Sequence, residues 1–216
     1  GWQAHRENEN FAAVRLFGAY VSALGGTAFC GTDLTGASFH RALLKSTNFA
    51  DSNKQKTTFT HVYWQEANCL DQSRLGDAIL KDRHVRLLLT TSESGYKQDF
   101  TNANLREANL DSVILEKAVL RRTILSRALL GGTILEGAIL TEVQAVNTDF
   151  TNAYLTGAVL EAWNIDSTTT LKSVDCQYVF LRETPDERGS RERRPYNPDK
   201  LFQPGDFEKF FIEMFD

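Results

Sequence analysis

The residues of this chain that could bind a metal or act as nucleophiles are four histidines and three cysteines. None of the histidines stands at ligand spacing from a cysteine or a carboxylate. The cysteines are odd in number and far apart, so they predict neither a disulfide framework nor a CxxC zinc site. We therefore expect no metal, no cofactor and a reducing compartment. The residues are His5, His40, His61, His84, Cys30, Cys69 and Cys176.

Carboxylates and glycines give no stronger indication of catalysis. Glu116 and Glu136 are twenty residues apart, and an exposed ladder of like charges is usually a solvated face, not an acid–base pair. The pairs Gly25-Gly26 and Gly131-Gly132 lack the pattern of a phosphate-binding loop and suit corners or open junctions. We predict that the chain is not an enzyme and has no small-molecule substrate.

Composition excludes further classes of function. The chain has 24 Lys+Arg against 28 Asp+Glu, a net charge of −4, so no basic field attracts nucleic acid. With 216 residues, 42% of them hydrophobic, it can bury a sizeable core. It opens with Gly1-Trp2 and not with Met, and we expect it to be a piece of a longer protein.

The element that would position any functional residue is a repeat of five. A large apolar residue, the centre, recurs every five residues, and a small residue, mostly Ala or Thr, precedes it by two. In the run of 14 pentads from Phe100 to Ile165, only Ala145 is not a large apolar centre. Counting all blocks gives 28 pentads, with the other centres at Phe29, Leu34, Phe39, Leu44, Phe49, Lys54, Phe59, Trp64, Cys69, Leu75, Leu80, Leu171, Cys176 and Leu181.

A period of five fits neither a regular helix nor a flat strand. On a helix the centres would wander around the axis, and on a strand an odd step would alternate them between faces. The pattern fits a coil that turns a corner after each pentad, with the centre and the small residue inside. A single pentad cannot bury its own apolar face, so coils must stack. Lys54, at an inward position, predicts a local bulge with its amine in water.

Runs such as Ala103-Asn104-Leu105, Ala108-Asn109-Leu110 and Thr32-Asp33-Leu34 resemble the A(D/N)LXX signature of the pentapeptide-repeat family. The resemblance covers residues 27–183. It implies an all-β solenoid, a right-handed quadrilateral β-helix with four pentads per coil, and hence about seven coils.

Two narrower resemblances bear on function. Residues 81–110 and the segment that begins at Asp175-Cys176-Gln177 are similar to the C-terminal part of cyanobacterial membrane-associated pentapeptide-repeat proteins. That implies a membrane tether through segments outside this chain. Other family members resemble duplex DNA and protect type II topoisomerases. Here Arg and Lys interrupt the acidic residues, which disfavours such mimicry.

The chain divides into five segments by pattern. Residues 1–26 are predicted as an N-terminal helical cap, since Arg15 argues against a membrane helix there. Residues 27–80 form a first β-helix block, and 98–183 form a second. Residues 81–97 are an inserted loop or short helix. The tail, 184–216, is Pro-rich and ends in an amphipathic helix with Phe207, Phe210, Phe211 and Met214 on one face.

The outward positions of the second block carry the candidate contact surface. With four pentads per coil, residues twenty apart stack into ladders, and two neighbouring ladders are apolar: Ile114–Ile134–Tyr154 and Val119–Ile139–Val159. Three interpretations stay open. The residues reflect β-propensity alone, the tail covers them through Phe207, Phe210 and Phe211, or they bind a protein partner or a second copy of the chain.

We therefore expect a non-catalytic protein–protein interaction or scaffolding module, cytoplasmic, as the cytosolic part of a larger protein. The alternative is a regulator that mimics nucleic acid and binds an enzyme such as a topoisomerase. The partner is not identified by the sequence. A detail of the core adds a further expectation, that Trp163 fills the space left by Ala145.

Overall fold

The computed structural model describes residues 26–76, 79–91 and 95–212. The chain forms two compact units, residues 1–92 and 93–216. The boundary between the units falls inside the segment predicted as an insertion, 81–97. The predicted N-terminal helix lies outside the described residues, as does Met214 of the tail. No helix within the described ranges is long and apolar enough to cross a membrane.

A β-turn ends each regular pentad. The backbone N–H of the small residue donates to the carbonyl of the preceding centre, as from Ala103 to Phe100 at 2.9 Å. The third residue of the turn has positive φ, for example 57° at Lys117 and 64° at Gly132. Because each side contributes one bridging residue before the next corner, the fold is built from single β-bridges. The chain thus turns a corner every five residues, as its spacing predicts.

In the second unit the bridges are parallel and almost all twenty residues apart. Ile114 pairs with Ile134, and Ile134 pairs with Tyr154. The backbone N–H of Leu115 donates to Ile134 at 2.7 Å, and that of Ile134 donates to Val113 at 3.0 Å. Four pentads therefore make one coil, and the same side of each coil stacks on the next.

The interior of the second unit holds the centres and the small residues. Leu110, Leu130 and Phe150 stack on one side and are fully buried. Threonine is accepted among the small residues because its hydroxyl finds a carbonyl in the coil below. Thr123 and Thr133 donate to the carbonyls of Phe100 and Leu110, both at 2.8 Å. These bonds satisfy the buried hydroxyl groups, which would otherwise be costly.

The first unit is less regular. Ala28 bridges to Asn48 across 20 residues, but Asp33 bridges to Thr58 across 25. The additional five residues, 52–56, belong to an exposed loop that begins at Asp51, which accepts a hydrogen bond from the Thr57 backbone at 2.8 Å. Lys54 lies in this loop, so the predicted bulge is present. Its pentad contributes no inward centre, which corrects the assignment of Lys54 to the coils.

The described part of the first unit ends in helices. Two short 3-10 helices, Leu70–Gln72 and Ile79–Lys81, precede helix α1, Arg83–Thr90. Asp82 caps α1 by accepting from the backbone N–H groups of His84 and Val85 at 2.8 and 3.2 Å. Val85, Leu88 and Leu89 are buried. The basic-apolar pattern predicted one helical turn here, and the structure has an eight-residue helix.

The second unit ends in a hairpin and a helix. Strand β1, Val179–Phe180, follows the last coil and pairs in antiparallel fashion with strand β2, Arg193–Arg194. Phe180 also bridges in parallel to Val159, so β2 closes the open edge of that ladder. Helix α2, Asp206–Ile212, follows the proline-rich stretch.

Candidate protein-contact surface

The first apolar ladder consists of Ile114, Ile134 and Tyr154, which the parallel bridges place one above another. Ile114 is 41% exposed and Tyr154 is 42% exposed, while Ile134 between them is half-buried. The next position of the ladder is the exposed Asp175. The structure therefore brings these three predicted residues together on the outside of the second unit.

Glycines flank this ladder at its corners. Gly131 and Gly132 precede Ile134, and Gly137 and Gly157 follow Ile134 and Tyr154. The N–H of Gly131 donates to Asp111 Oδ1 at 2.7 Å. A Cβ atom at Gly131 would lie 2.9 Å from the same oxygen. A side chain at position 131 would therefore displace the Asp111 carboxylate from this hydrogen bond, and the corner that follows Ile134 pairs Gly137 with the exposed Glu136.

The second apolar ladder, Val119, Ile139 and Val159, differs from the prediction at one end. Val119 and Ile139 are half-buried, but Val159 is only 2% exposed and is not available to a partner. Phe180 occupies the next position of this ladder, and its ring contacts that of Tyr178 at 5.7 Å between centroids. These two aromatic residues follow the last coil and lie at the Val159 end of the ladder.

Glycine also explains how Tyr178 approaches this region. A Cβ atom at Gly157 would lie 3.5 to 3.7 Å from three atoms of the Tyr178 ring and hydroxyl. The tyrosine therefore packs directly on the glycine backbone, two residues before Val159. Sequence spacing alone does not reveal this contact, because Tyr178 belongs to no regular outward ladder.

The tail phenylalanines do not cover either apolar ladder. Phe211 contacts Trp163 with ring centroids 5.0 Å apart, and Trp163 contacts Phe150 in the core at 6.0 Å. Phe207 and Phe211 are buried, and their rings are 4.9 Å apart. Helix α2 thus packs on the end of the core, because Trp163 presents an aromatic face there. The interpretation in which these phenylalanines cover the ladders is wrong.

An ion pair fixes the segment that follows the last coil. Glu183 accepts hydrogen bonds from Arg121 Nε at 2.8 and 3.0 Å and from Thr141 Oγ1 at 2.6 Å. The hydrogen bond from Arg121 lowers the pKa of Glu183, and that from Thr141 acts in the same direction. Sequence reasoning missed this site. The available signal was that Arg121, Thr141 and Glu161 share one corner, toward which the chain runs after Leu181.

Other acidic residues of the second unit are also paired. Arg127 binds Glu107 at 2.8 Å, and Lys117 binds Glu116 at 2.9 Å. The charge on this surface is therefore locally balanced. A DNA mimic needs a continuous acidic face, and these pairs interrupt it.

Cys176 is the buried one of the three cysteines. Burial raises the pKa of Cys176 to about 12, so its thiol is protonated at neutral pH. This cysteine lines a pocket of about 360 Å³ together with Val174, Phe202 and Pro204. Within residues 26–76, 79–91 and 95–212, no three His, Cys, Asp or Glu side chains are grouped closely enough to hold a metal ion.

Comparison with known families agrees with the repeat geometry. The family model described as Pentapeptide repeats matches eight copies, at residues 22–53, 99–137 and 123–161. Residues 22–53 and 99–161 are pentapeptide repeats. The right-handed quadrilateral β-helix of this family, with four pentads per coil, corresponds to the twenty-residue ladders of the second unit.

Three solved structures illustrate the range of similar proteins. Rfr23, from the cyanobacterium Cyanothece, is 36% identical over 36% of this chain and 59% of its own, with a TM-score of 0.22. HetL, a protein involved in heterocyst differentiation regulation from the cyanobacterium Nostoc, is 22% identical over 71% of this chain and 53% of its own, with a TM-score of 0.21. QnrB1, a plasmid-mediated fluoroquinolone resistance protein, is 19% identical over 69% of this chain and 79% of its own, with a TM-score of 0.30.

The chain thus spans between half and three fifths of the first two of these structures. No curated protein matches the chain.

Proposed function

We propose that this chain is a non-catalytic protein-interaction module that binds a partner through the first apolar ladder, Ile114, Ile134 and Tyr154. In a cell it would act as the cytosolic, scaffolding part of a longer and membrane-tethered protein. The observation that carries this proposal is the exposure of Ile114 and Tyr154 in one continuous ladder.

The other sides of the second unit provide the contrast. Their ladders are mostly polar at the equivalent positions, as in Asn104–Ile124–Gln144–Asn164 and Asn109–Leu129–Asp149–Thr170. An isolated Ile124 or Leu129 among polar neighbours needs no partner, because scattered apolar residues are normal on protein surfaces. Three stacked apolar residues form a contiguous patch, and burying such a patch gains about 25 cal/mol per Å².

The dimensions of the ladder indicate what kind of partner element fits. Successive positions are about 4.8 Å apart, so the three side chains extend over roughly 10 Å, and the ladder is one residue wide. A single helix or extended strand of a partner matches this size better than a broad globular face.

Ile134→Lys tests the proposal, because it places a charge at the middle of the ladder without altering an inward residue. The matched control is Ile124→Lys, a half-buried outward isoleucine on a mostly polar ladder. We expect proteins captured from a lysate by the wild-type chain to be retained by the control and lost with Ile134→Lys. Circular dichroism melting must be the same for both variants.

Two readouts separate the outcomes. Light scattering of the wild-type chain reports whether the bound partner is a second copy, in which case Ile134→Lys alone lowers the mass. Equal capture and equal mass for all three proteins would contradict the proposal. Such a result would leave β-propensity as the reason for these residues.

A further inference from the structure

The Glu183 contact spans three coils of the second unit. Glu161 accepts a hydrogen bond from the backbone N–H of Glu183 at 2.7 Å, and the carboxylate of Glu183 continues to Thr141 and Arg121. Arg121, Thr141 and Glu161 are twenty residues apart along one corner. We call these four residues the latch. It holds the chain that leaves the last coil against coils formed up to 62 residues earlier.

The segment held by the latch consists of the connection that follows β1 together with β2, residues 181–194, and is here called the strap. The two arms of the strap are joined by backbone hydrogen bonds. The N–H of Leu181 donates to the Glu192 carbonyl at 3.2 Å, and the N–H of Arg182 donates to the Arg191 carbonyl at 3.1 Å. Asp186 closes its turn by accepting from the Ser190 backbone at 2.8 Å.

Side chains of the strap cover aromatic residues that continue the second apolar ladder. The Arg191 guanidinium lies 4.4 Å from the centre of the Phe180 ring, and that of Arg193 lies 4.5 Å from the Tyr178 ring. Phe180 is the ladder neighbour of Val159, which is buried. The ladder Val119–Ile139–Val159–Phe180 is therefore half-buried at Val119 and Ile139 and covered by the strap at Phe180.

The covered arrangement leaves one polar group unsatisfied. Arg191 Nε is buried and has no hydrogen-bond partner among the described residues. A buried N–H that has lost water without gaining an acceptor weakens the closed state. Arg193, by contrast, donates to the carbonyls of Pro195, Asn197 and Lys200 at 2.6, 3.1 and 3.2 Å. The tail beyond β2 is thus well anchored. The middle of the strap has its own hairpin hydrogen bonds, and the latch holds it against the coils.

We propose that the strap is an autoinhibitory cover, held by the Arg121–Glu183 latch, whose release exposes Phe180 and extends the apolar contact surface onto the second ladder. This inference rests on the proposed function only in what the exposed surface binds. Opening itself is a property of the isolated chain. Aromatic side chains such as Phe180 are frequent centres of binding energy, which is why uncovering one would change partner affinity.

Arg121→Glu tests the latch, because it opposes Glu183 with a like charge. We expect trypsin to cleave within residues 182–193 about tenfold faster than in the wild type, since proteolysis follows the population of the open form. The fluorescence of an apolar dye should rise in parallel. The double variant Arg121→Glu with Glu183→Arg restores an opposite pair and should return both readouts toward the wild-type values. Arg122→Glu, at the next residue of the same turn, is the matched control and should leave both unchanged.

The outcomes separate this inference from the proposed function. Unchanged cleavage and dye binding in Arg121→Glu would overturn the strap, as would a double variant that stays open. If the strap opens as expected while Ile134→Lys has no effect on capture, the cover stands and the proposed contact surface fails. If capture by the wild-type chain is real, Arg121→Glu should increase it.

Discussion

The two units build the same coil from different interiors. In the second unit the inward centres are almost all leucine, the small residues are mostly Ala or Thr, and the bridges keep a spacing of twenty until Asp149. In the first unit the centres include Phe29, Phe39, Phe49, Phe59 and Trp64, and the spacing is 20, 25 or 26. The inward positions of the pentad thus accept both kinds of side chain.

Packing also differs between the units. Leucine centres of the second unit such as Leu120 and Leu130 are fully buried. In the first unit Phe39 stacks on Trp64 at 4.9 Å and meets Phe49 edge-on at 5.5 Å, yet Phe29, Phe39 and Phe59 are half-buried. Phe49, by contrast, is only 1% exposed, and Asn48 before it bridges to Ala28 and to Arg74 on the two sides. Phe29 and Phe39 lie in the first described coil, whose bridges run to one side among the described residues.

The inserted loop of the first unit lies at a corner of the coil. It projects from the coil there, and the parallel bridges resume at Thr58. Because one residue per side makes the bridge, a corner can hold an insertion without shifting the inward face of the next pentad. Burial of an inward centre thus depends on whether coils stack on both of its sides, while corners absorb changes in chain length.

The largest change in the free energy of unfolding is expected when a core leucine is truncated. Leu130→Ala in the second unit should lower the free energy of unfolding by about 3 kcal/mol, because a fully buried leucine leaves a cavity between intact layers. Leu44→Ala in the first unit should cost less, about 2 kcal/mol, at the low end for a buried leucine. Hydrogen exchange measures each unit separately.

Leu129→Ala is the control for this pair, since Leu129 is the adjacent outward residue and half-buried. It should change the free energy of unfolding by less than about 1 kcal/mol. A cost for Leu44→Ala equal to that of Leu130→Ala would break the comparison, because packing would then not depend on the regularity of the layers.

A smaller effect is expected when the insertion of the first unit is removed. Deleting residues 52–56 joins Asp51 to Thr57 and restores the pentad Ala50-Asp51-Thr57-Thr58-Phe59. The free energy of unfolding should change by no more than about 1 kcal/mol, because shortening an exposed loop alters closure entropy only slightly. Denaturant unfolding checks this. Loss of cooperative unfolding would mean that the loop is part of the fold and not an addition at a corner.

The smallest effect concerns acid titration and compares one carboxylate from each unit. Hydrogen bonds from Thr35 and then Thr58 lower the pKa of Asp33 to about 2, and a bond from Thr168 lowers that of Asp166. A depressed native pKa stabilises the fold above the ordinary value, and this contribution is lost as the pH falls from about 4 to 2. Thr35→Val should raise the pKa of Asp33 and leave that of Asp166 unchanged, as measured by NMR. Equal shifts at both sites would contradict a local cause.

Much of the fold could be predicted because the repeat is a local signal. Leu110, Leu130 and Phe150 are inward and stacked, and Ile114, Ile134 and Tyr154 form one ladder, as the pattern of five indicates. The candidate surface followed from that ladder only in part. Val159 occupies the same outward position of its pentad as Ile134 and has a similar side chain. It is nevertheless buried at the end of its ladder, where Tyr178 and Phe180 follow the last coil.

The amino-acid pattern alone specifies which side of each pentad faces inward, where the corners fall and which residues align twenty apart. These features follow from the alternation of large and small side chains within five residues, which each repeat contains. The path of residues 178–212 is visible only in the folded molecule: the latch at Glu183, the stacking of Arg191 on Phe180 and the packing of Phe211 on Trp163. Those contacts join residues 11 to 62 positions apart without any period, so their partners become defined once the coils have stacked and formed the surface that receives the tail.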